Sequence, residues 1–125
     1  ENKEYFTQEM ENGSIQISED VVASVTGMAV LEVEGVCGLS STIGTDIAEM
    51  LGMKTLSKGV RLSSTEAGTL RIDCDVVAKF GQNIFELAKN VQENVKSSVE
   101  SVTGLTVGEV NVTVCGIALP KEAKK

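Results

Sequence analysis

Cys37, Cys74 and Cys115, the alternating carboxylates Asp73 and Asp75, and the cations Lys54, Lys58 and Arg61 are the side chains with the most chemistry to offer. The chain has no histidine, which removes the commonest general base, the usual serine and cysteine triads and the HExxH zinc site. The cysteines are widely spaced with no CxxC pair, so no metal or other cofactor is expected. Cys37 sits in a glycine-rich stretch and is the best candidate for a reactive thiol. It has no adjacent cation to lower its pKa, so catalysis is not expected there. Cys74 belongs to a buried strand face and reads as a small inert hydrophobe, whereas Cys115 falls out of phase with Val112 and Val114 and is expected to be partly exposed. Gly52-Met53-Lys54-Thr55 ends like a phosphate loop but lacks the earlier glycine spacing, and no GxGxxG occurs. Asp73 and Asp75 alternate with apolar residues, as on the solvated face of a strand. Lys54, Lys58 and Arg61 form a local basic cluster in an otherwise acidic chain. They are the candidate docking spot for an acidic partner or a small anionic ligand, against the plainer reading of solvated loop charges.

The elements that position these groups are legible in the periodicity. Residues 1–13 are polar, acidic and aperiodic, and read as a flexible N-terminal arm. Ser14 to Ser18 alternates as a short first strand. Ser18 then caps a helix whose first turn carries Glu19 and Asp20, favourable at the positive end of the macrodipole. Its predicted buried stripe is Val21, Val22, Val25, Met28, Ala29 and Val33, with Gly27 marking close packing on a sheet. From Glu34 to Gly59, glycines punctuate what is expected to be loop, interrupted by a short helix from Asp46 to Leu51 with Thr45 as its cap and Gly52 as its stop. Val60–Ser64 and Thr69–Lys79 read as a hairpin closed by residues 65–68. In its second strand Leu70, Ile72, Cys74 and Val76 share the buried face, and Arg71, Asp73 and Asp75 the wet one.

The strongest pattern follows. Ile84, Leu87, Ala88, Val91, Val95, Val99 and Val102 make one apolar stripe at three- and four-residue steps. Glu86, Lys89, Glu93, Lys96 and Glu100 alternate in sign on the other side. Asn83 with Glu86 caps the start, and Thr103-Gly104 supplies a left-handed stop. The last strand keeps Val110, Val112 and Val114 on one face, with a bulge expected at Gly108. Pro120 ends it, and residues 121–125 form a charged tail. The order predicts a single α+β domain over residues 14–120. It is a two-layer sandwich of a small, mainly antiparallel sheet of about four strands, with two main helices on one face and a short extra helix.

Composition bounds the function. With 125 residues, 42% hydrophobic but 3% aromatic, the core must be built from Val, Ile, Leu and Ala. Eleven basic against eighteen acidic residues give a net charge of −7. Such a surface repels phosphate backbones, and it has few rings for bases to stack on, so nucleic-acid binding is not expected. Repulsion from anionic head groups means that any membrane association needs a protein anchor. No stretch approaches the ~18 apolar residues of a span, and no signal peptide opens the sequence. An odd number of unpaired cysteines fits reduced thiols in the cytoplasm.

Three blocks carry a family resemblance: residues 13–22 (GSIQISEDVV) with the run to Glu32-Val-Glu-Gly-Val36; Leu56-Ser-Lys-Gly-Val60; and Asn90-Val-Gln-Glu-Asn-Val-Lys96 through Thr103-Gly-Leu105 to Glu109-Val-Asn-Val112. Together they resemble the alkaline shock protein family of Gram-positive bacteria, also called the general or envelope stress response family, over roughly Gly13 to Gly116. The resemblance implies a small cytosolic protein that is not an enzyme and carries no catalytic residues. Some members are held at the cell membrane by a separate small membrane anchor protein and self-associate; others lie near genes of fatty-acid synthesis and tune that pathway. Two functions are therefore expected. One is a stress-related scaffold or adaptor that self-associates and binds a protein partner at the cytoplasmic side of the envelope, with exposed sheet edges and the glycine-rich segment as its contact surfaces. The alternative is a regulator of lipid metabolism that binds an enzyme or an anionic metabolite at Lys54, Lys58 and Arg61.

Overall fold

The computed structural model describes residues 5–39, 59–66 and 68–119. In chain order these form β1 (Tyr5–Met10), β2 (Gly13–Ser18), α1 (Glu19–Glu32), β3 (Val36–Leu39), β4 (Val60–Ser64), β5 (Leu70–Lys79), α2 (Ile84–Thr103) and β6 (Val107–Ala118). The predicted short helix at residues 46–51, with Lys54 and Lys58, lies outside the described residues, as do Pro120 and the charged tail.

β5 organises the molecule. Its alternation puts Leu70, Ile72, Cys74, Val76 and Ala78 on one face, each at most 3% exposed. Both helices cover that face. α2 contributes Leu87, Val91, Val95 and Val99, which recur at four-residue steps and are all buried. Its ends are as the sequence predicts: Asn83 Oδ1 accepts from Glu86 N at 3.0 Å, and Gly104 closes the helix at φ 77°. Val102, expected at the end of the stripe, is 66% exposed instead. By that turn the helix has run past the sheet and has nothing to cover.

α1 departs further from expectation. Ser18 caps it as predicted, accepting from Val21 N at 3.2 Å. Its buried side, however, is Val22, Ala23, Ser24, Thr26, Gly27, Ala29 and Val30, while Val21 and Met28 are about half exposed. Hydrogen bonding explains the rotation. Thr26 donates its hydroxyl to Val22 O at 2.8 Å, so a polar residue is buried with its group satisfied. Asn94 of α2 donates to Ala29 O at 2.7 Å and fixes the small-residue side of α1 against its neighbour.

The sheet is mainly antiparallel with four strands, and the fold is α+β with both helices on one face. Strand membership differs from the sequence reading in two places. β3, expected as loop, pairs antiparallel with β5, and the strand at residues 13–18 pairs only with β1. Residues 5–10, expected as part of an arm, are thus the first strand of a hairpin. β4 pairs with the first half of β5 (Val60↔Cys74 to Ser64↔Leu70) and β3 with the second (Leu39↔Val76, Val36↔Ala78), so two short strands share one edge in tandem. β6 takes the opposite edge along its full length, parallel to β5 because α2 carries the chain back between them. The predicted bulge is present: Leu70 pairs with Val107 and Arg71 with Glu109, leaving Gly108 as the extra residue.

Candidate interaction surfaces

The tandem arrangement brings Leu39 and Val60, the described residues at the ends of β3 and β4, to one part of the sheet edge. Leu39 and Val60 lie opposite Val76 and Cys74, two positions apart on β5. Asp75 N donates to Gly59 O at 2.9 Å at that point. Arg61 stands beside it and is the member of the predicted basic cluster that falls among the described residues. Its guanidinium grips Asp75 with two hydrogen bonds, of 2.8 and 3.1 Å. The bonded guanidinium holds the Asp75 carboxyl below the usual carboxylate range, and the carboxylate in turn raises the Arg61 pKa. A bidentate pair of this kind uses one paired donor edge of the guanidinium and offsets its charge with that of Asp75.

The second strand residue of interest, Asp73, belongs to a different group on the helix-free face. Asn111 donates to Asp73 at 2.8 Å and to Glu109 at 2.9 Å, and Arg71 Nε lies 3.6 Å from both carboxylates. The wet face predicted for Arg71, Asp73 and Asp75 is therefore a lattice of opposite charges on neighbouring strands, each acid matched to a donor.

The three thiols separate as their strands dictate. Cys74 is fully buried, and burial, helped by the charges of Asp73 and Asp75, pushes its pKa up to about 12. Cys37 and Cys115 are exposed. Cys37 is on β3 rather than in a loop. Cys115 sits at the second register shift of β6 and donates to Val76 O at 3.4 Å. Among the described residues no group of three or more cysteines and carboxylates has the arrangement of a metal site. A groove of about 530 Å3 between the β1–β2 hairpin and the sheet end is lined by residues such as Phe6, Gln8, Leu70, Leu105 and Thr106, with no charged side chain to orient an ionic ligand. No described helix is long and apolar enough to cross a membrane.

One feature of α2 escaped the sequence reading. Gln92, Lys96 and Glu100 form an i, i+4, i+8 row that lies along β6. Gln92 donates to Val110 O at 2.9 Å, Lys96 to Val107 O at 3.1 Å, and Glu100 accepts from Val107 N at 2.9 Å. The Val107 amide, and after it Lys96, holds the Glu100 carboxyl below its usual pKa. The signal was the four-residue spacing itself, which the alternating signs disguised as an ordinary solvated face.

Residues 7–119 match the profile of the alkaline shock protein 23 family, described as having a cell envelope-related function. The chain is 38% identical over 113 residues to the uncharacterized protein Spy1614 of Streptococcus pyogenes, covering 89% of this chain and 93% of that one. It is 30% identical to the uncharacterized protein YqhY of Bacillus subtilis, covering 90% of this chain and 83% of that one. Against YloU of the same species, also uncharacterized, identity is 36%, covering 84% of this chain and 88% of the relative.

Proposed function

The chain belongs to the alkaline shock protein 23 family, whose function is cell envelope-related, and from that premise we propose that it is a non-enzymatic scaffold that self-associates and holds a protein partner at the cytoplasmic side of the envelope. The observation that carries this reading is the long β6 edge. It is twelve residues long, paired on one side only among the described residues, and offers main-chain hydrogen bonds to another strand. The rest of the surface suits a scaffold. Its described ion pairs are internally matched, and its net charge of −7 disfavours direct adsorption to anionic lipid, so a protein anchor would supply the membrane attachment.

The regulator of lipid metabolism is the weaker reading. Arg61, one of its three proposed contacts with Lys54 and Lys58, is already paired with Asp75 through two hydrogen bonds that offset its charge.

The test is affinity capture of the tagged protein from detergent-solubilised membranes of its native host, compared with capture from the membrane-free extract. Stoichiometric recovery of one small membrane protein from the membrane fraction is expected. Recovery of fatty-acid synthesis enzymes from the soluble extract, with no membrane protein, would replace the scaffold by the regulator.

A further inference from the structure

α1 and α2 cover the same sheet but differ in outer surface. α2 keeps five charged residues, Glu86, Lys89, Glu93, Lys96 and Glu100, away from its buried stripe. α1 has none from Val21 to Leu31, in a chain that is 23% charged. A helix that is apolar all round is expected to be buried all round, and α1 is not. Val22, Ala29 and Val30 are in the core, while Val21 and Met28 are 48% and 53% exposed. Val21, Val25 and Met28 follow one another at four- and three-residue steps, so they form one ridge, and the next step along it is Glu32. Val25 is only partly buried, and Leu31 flanks the ridge at 37% exposure. Beyond the ridge, at the C-terminal end of α1, Glu32 and Glu34 line a groove of about 400 Å3 with Asn90, Glu93 and Asn94 of α2. Glu32 accepts from Asn94 at 3.3 Å. None of the three carboxylates takes part in the described ion pairs, and no cation among the described residues lines the groove. The last turn of α1 has no basic residue, although the negative end of a helix favours one.

We propose that the ridge of Val21, Val25 and Met28 and the acidic groove beyond it are one docking site for a helical segment of a protein partner, apolar along one side and basic at one end. This rests on the partner binding in the proposed function and gives it a place on the chain. The ridge and groove together span about three turns of helix. Valine and methionine side chains at this spacing accept apolar side chains that recur at the same three- and four-residue steps on a facing helix. Charge chooses the occupant. The partner's lysines or arginines would neutralise Glu32, Glu34 and Glu93 and supply the positive charge that the end of α1 lacks. A second copy does not fit. Two α1 ridges packed antiparallel would set Glu32 and Glu34 against Glu19 and Asp20 of the other copy, and packed parallel would set like ends together, so acids oppose acids either way. An anionic lipid surface is repelled by the same carboxylates.

The purified chain and synthetic peptides test this. The probe is a helical peptide of about four turns, with leucines at three- and four-residue steps and lysines confined to one end. It is expected to bind, to move the methyl resonances of Val21, Val25 and Met28, and to bind less tightly as salt is raised. A peptide with glutamate in place of lysine, and another with serine in place of leucine, should each bind about tenfold more weakly or less. Val21→Gln/Met28→Gln changes two exposed side chains, and Glu34→Gln/Glu93→Gln two exposed carboxylates. Each double variant should weaken the lysine peptide by about tenfold. Failure of the probe to bind, equal binding of the glutamate peptide, or indifference to either double variant overturns the inference. So does a Met28 methyl that a soluble paramagnetic agent cannot reach in the peptide-free chain. Shielding at all concentrations would mean that another segment of the same chain covers the ridge, and shielding that grows with concentration that a second copy does. Shielding of Met28 by phosphatidylglycerol vesicles would give the ridge to lipid and overturn it too. If a double variant folds poorly, the peptide series on the unaltered chain decides. Capture from membranes separates this site from the scaffold reading. A chain that binds the probe as expected but recovers no membrane protein keeps the site and loses the scaffold. Undiminished capture by Val21→Gln/Met28→Gln keeps the scaffold and overturns the site.

Discussion

At the residue scale the described polar groups are matched to neighbours more than they are poised for reaction. Asp75 has Arg61, Asp73 has Asn111 and Arg71, and Glu100 has Val107 N and Lys96. Cys74 is the exception, because burial governs it before any partner does. Its thiol is displaced from a usual 9.0 to about 12. A raised folded-state pKa means that the stabilisation is fully present below the unfolded value and is lost as pH rises through the folded one. Unfolding free energy should therefore fall progressively between pH 9 and 12, by about 4 kcal/mol from this thiol. Cys74→Ala should be less stable at neutral pH, because it leaves a small cavity, yet flatter over the alkaline range. Urea titrations at stepped pH check this; parallel pH profiles for the two proteins would show that Cys74 does not control the alkaline limit. Cys74 was readable as a buried hydrophobe from its phase with Leu70, Ile72 and Val76. The Arg61–Asp75 pair was not readable, since cross-strand partners depend on a register that spacing along one strand does not contain.

At the element scale, α2 and the β4–β5 hairpin came out as their patterns required, because caps, stripe and turn all lie within a few residues of one another. β3 did not. Its four residues contain Gly38 and make no periodic pattern, and it is a strand because β5 is twice as long as β4 and leaves Val76 to Ala78 in need of partners. The turn before β3 shows the same dependence on packing. Gly35 has φ +98°, and a Cβ there would meet the Gln82 side chain and Leu87 Cδ1, the latter at 2.8 Å. Gly104 has φ +77° but open space around it. Gly104→Ala should cost about 1 kcal/mol from backbone strain alone, and Gly35→Ala about 3 kcal/mol because overpacking adds to it. Chemical denaturation with unchanged m-values measures the difference; equal losses would mean that the close approach at Gly35 is relieved without cost.

At the scale of the whole molecule the family function is cell envelope-related and the proposed role is that of a scaffold, so assembly is the property to measure. If copies associate, folding is linked to association, and the melting temperature should climb with protein concentration. A melting temperature independent of concentration in the unaltered chain would show that folding is complete within one copy. The amino-acid sequence by itself determined the α+β class, the ends of α2, the hairpin at residues 60–79, the bulge at Gly108 and the acidic surface, because each follows from local periodicity, capping or composition. Tertiary structure decided the rotation of α1, the tandem β3/β4 edge, the pairing of Arg61 with Asp75, and the row of Gln92, Lys96 and Glu100 along β6. Those depend on which strands lie side by side and how far each extends, and such relations between distant residues leave no periodic trace along the chain.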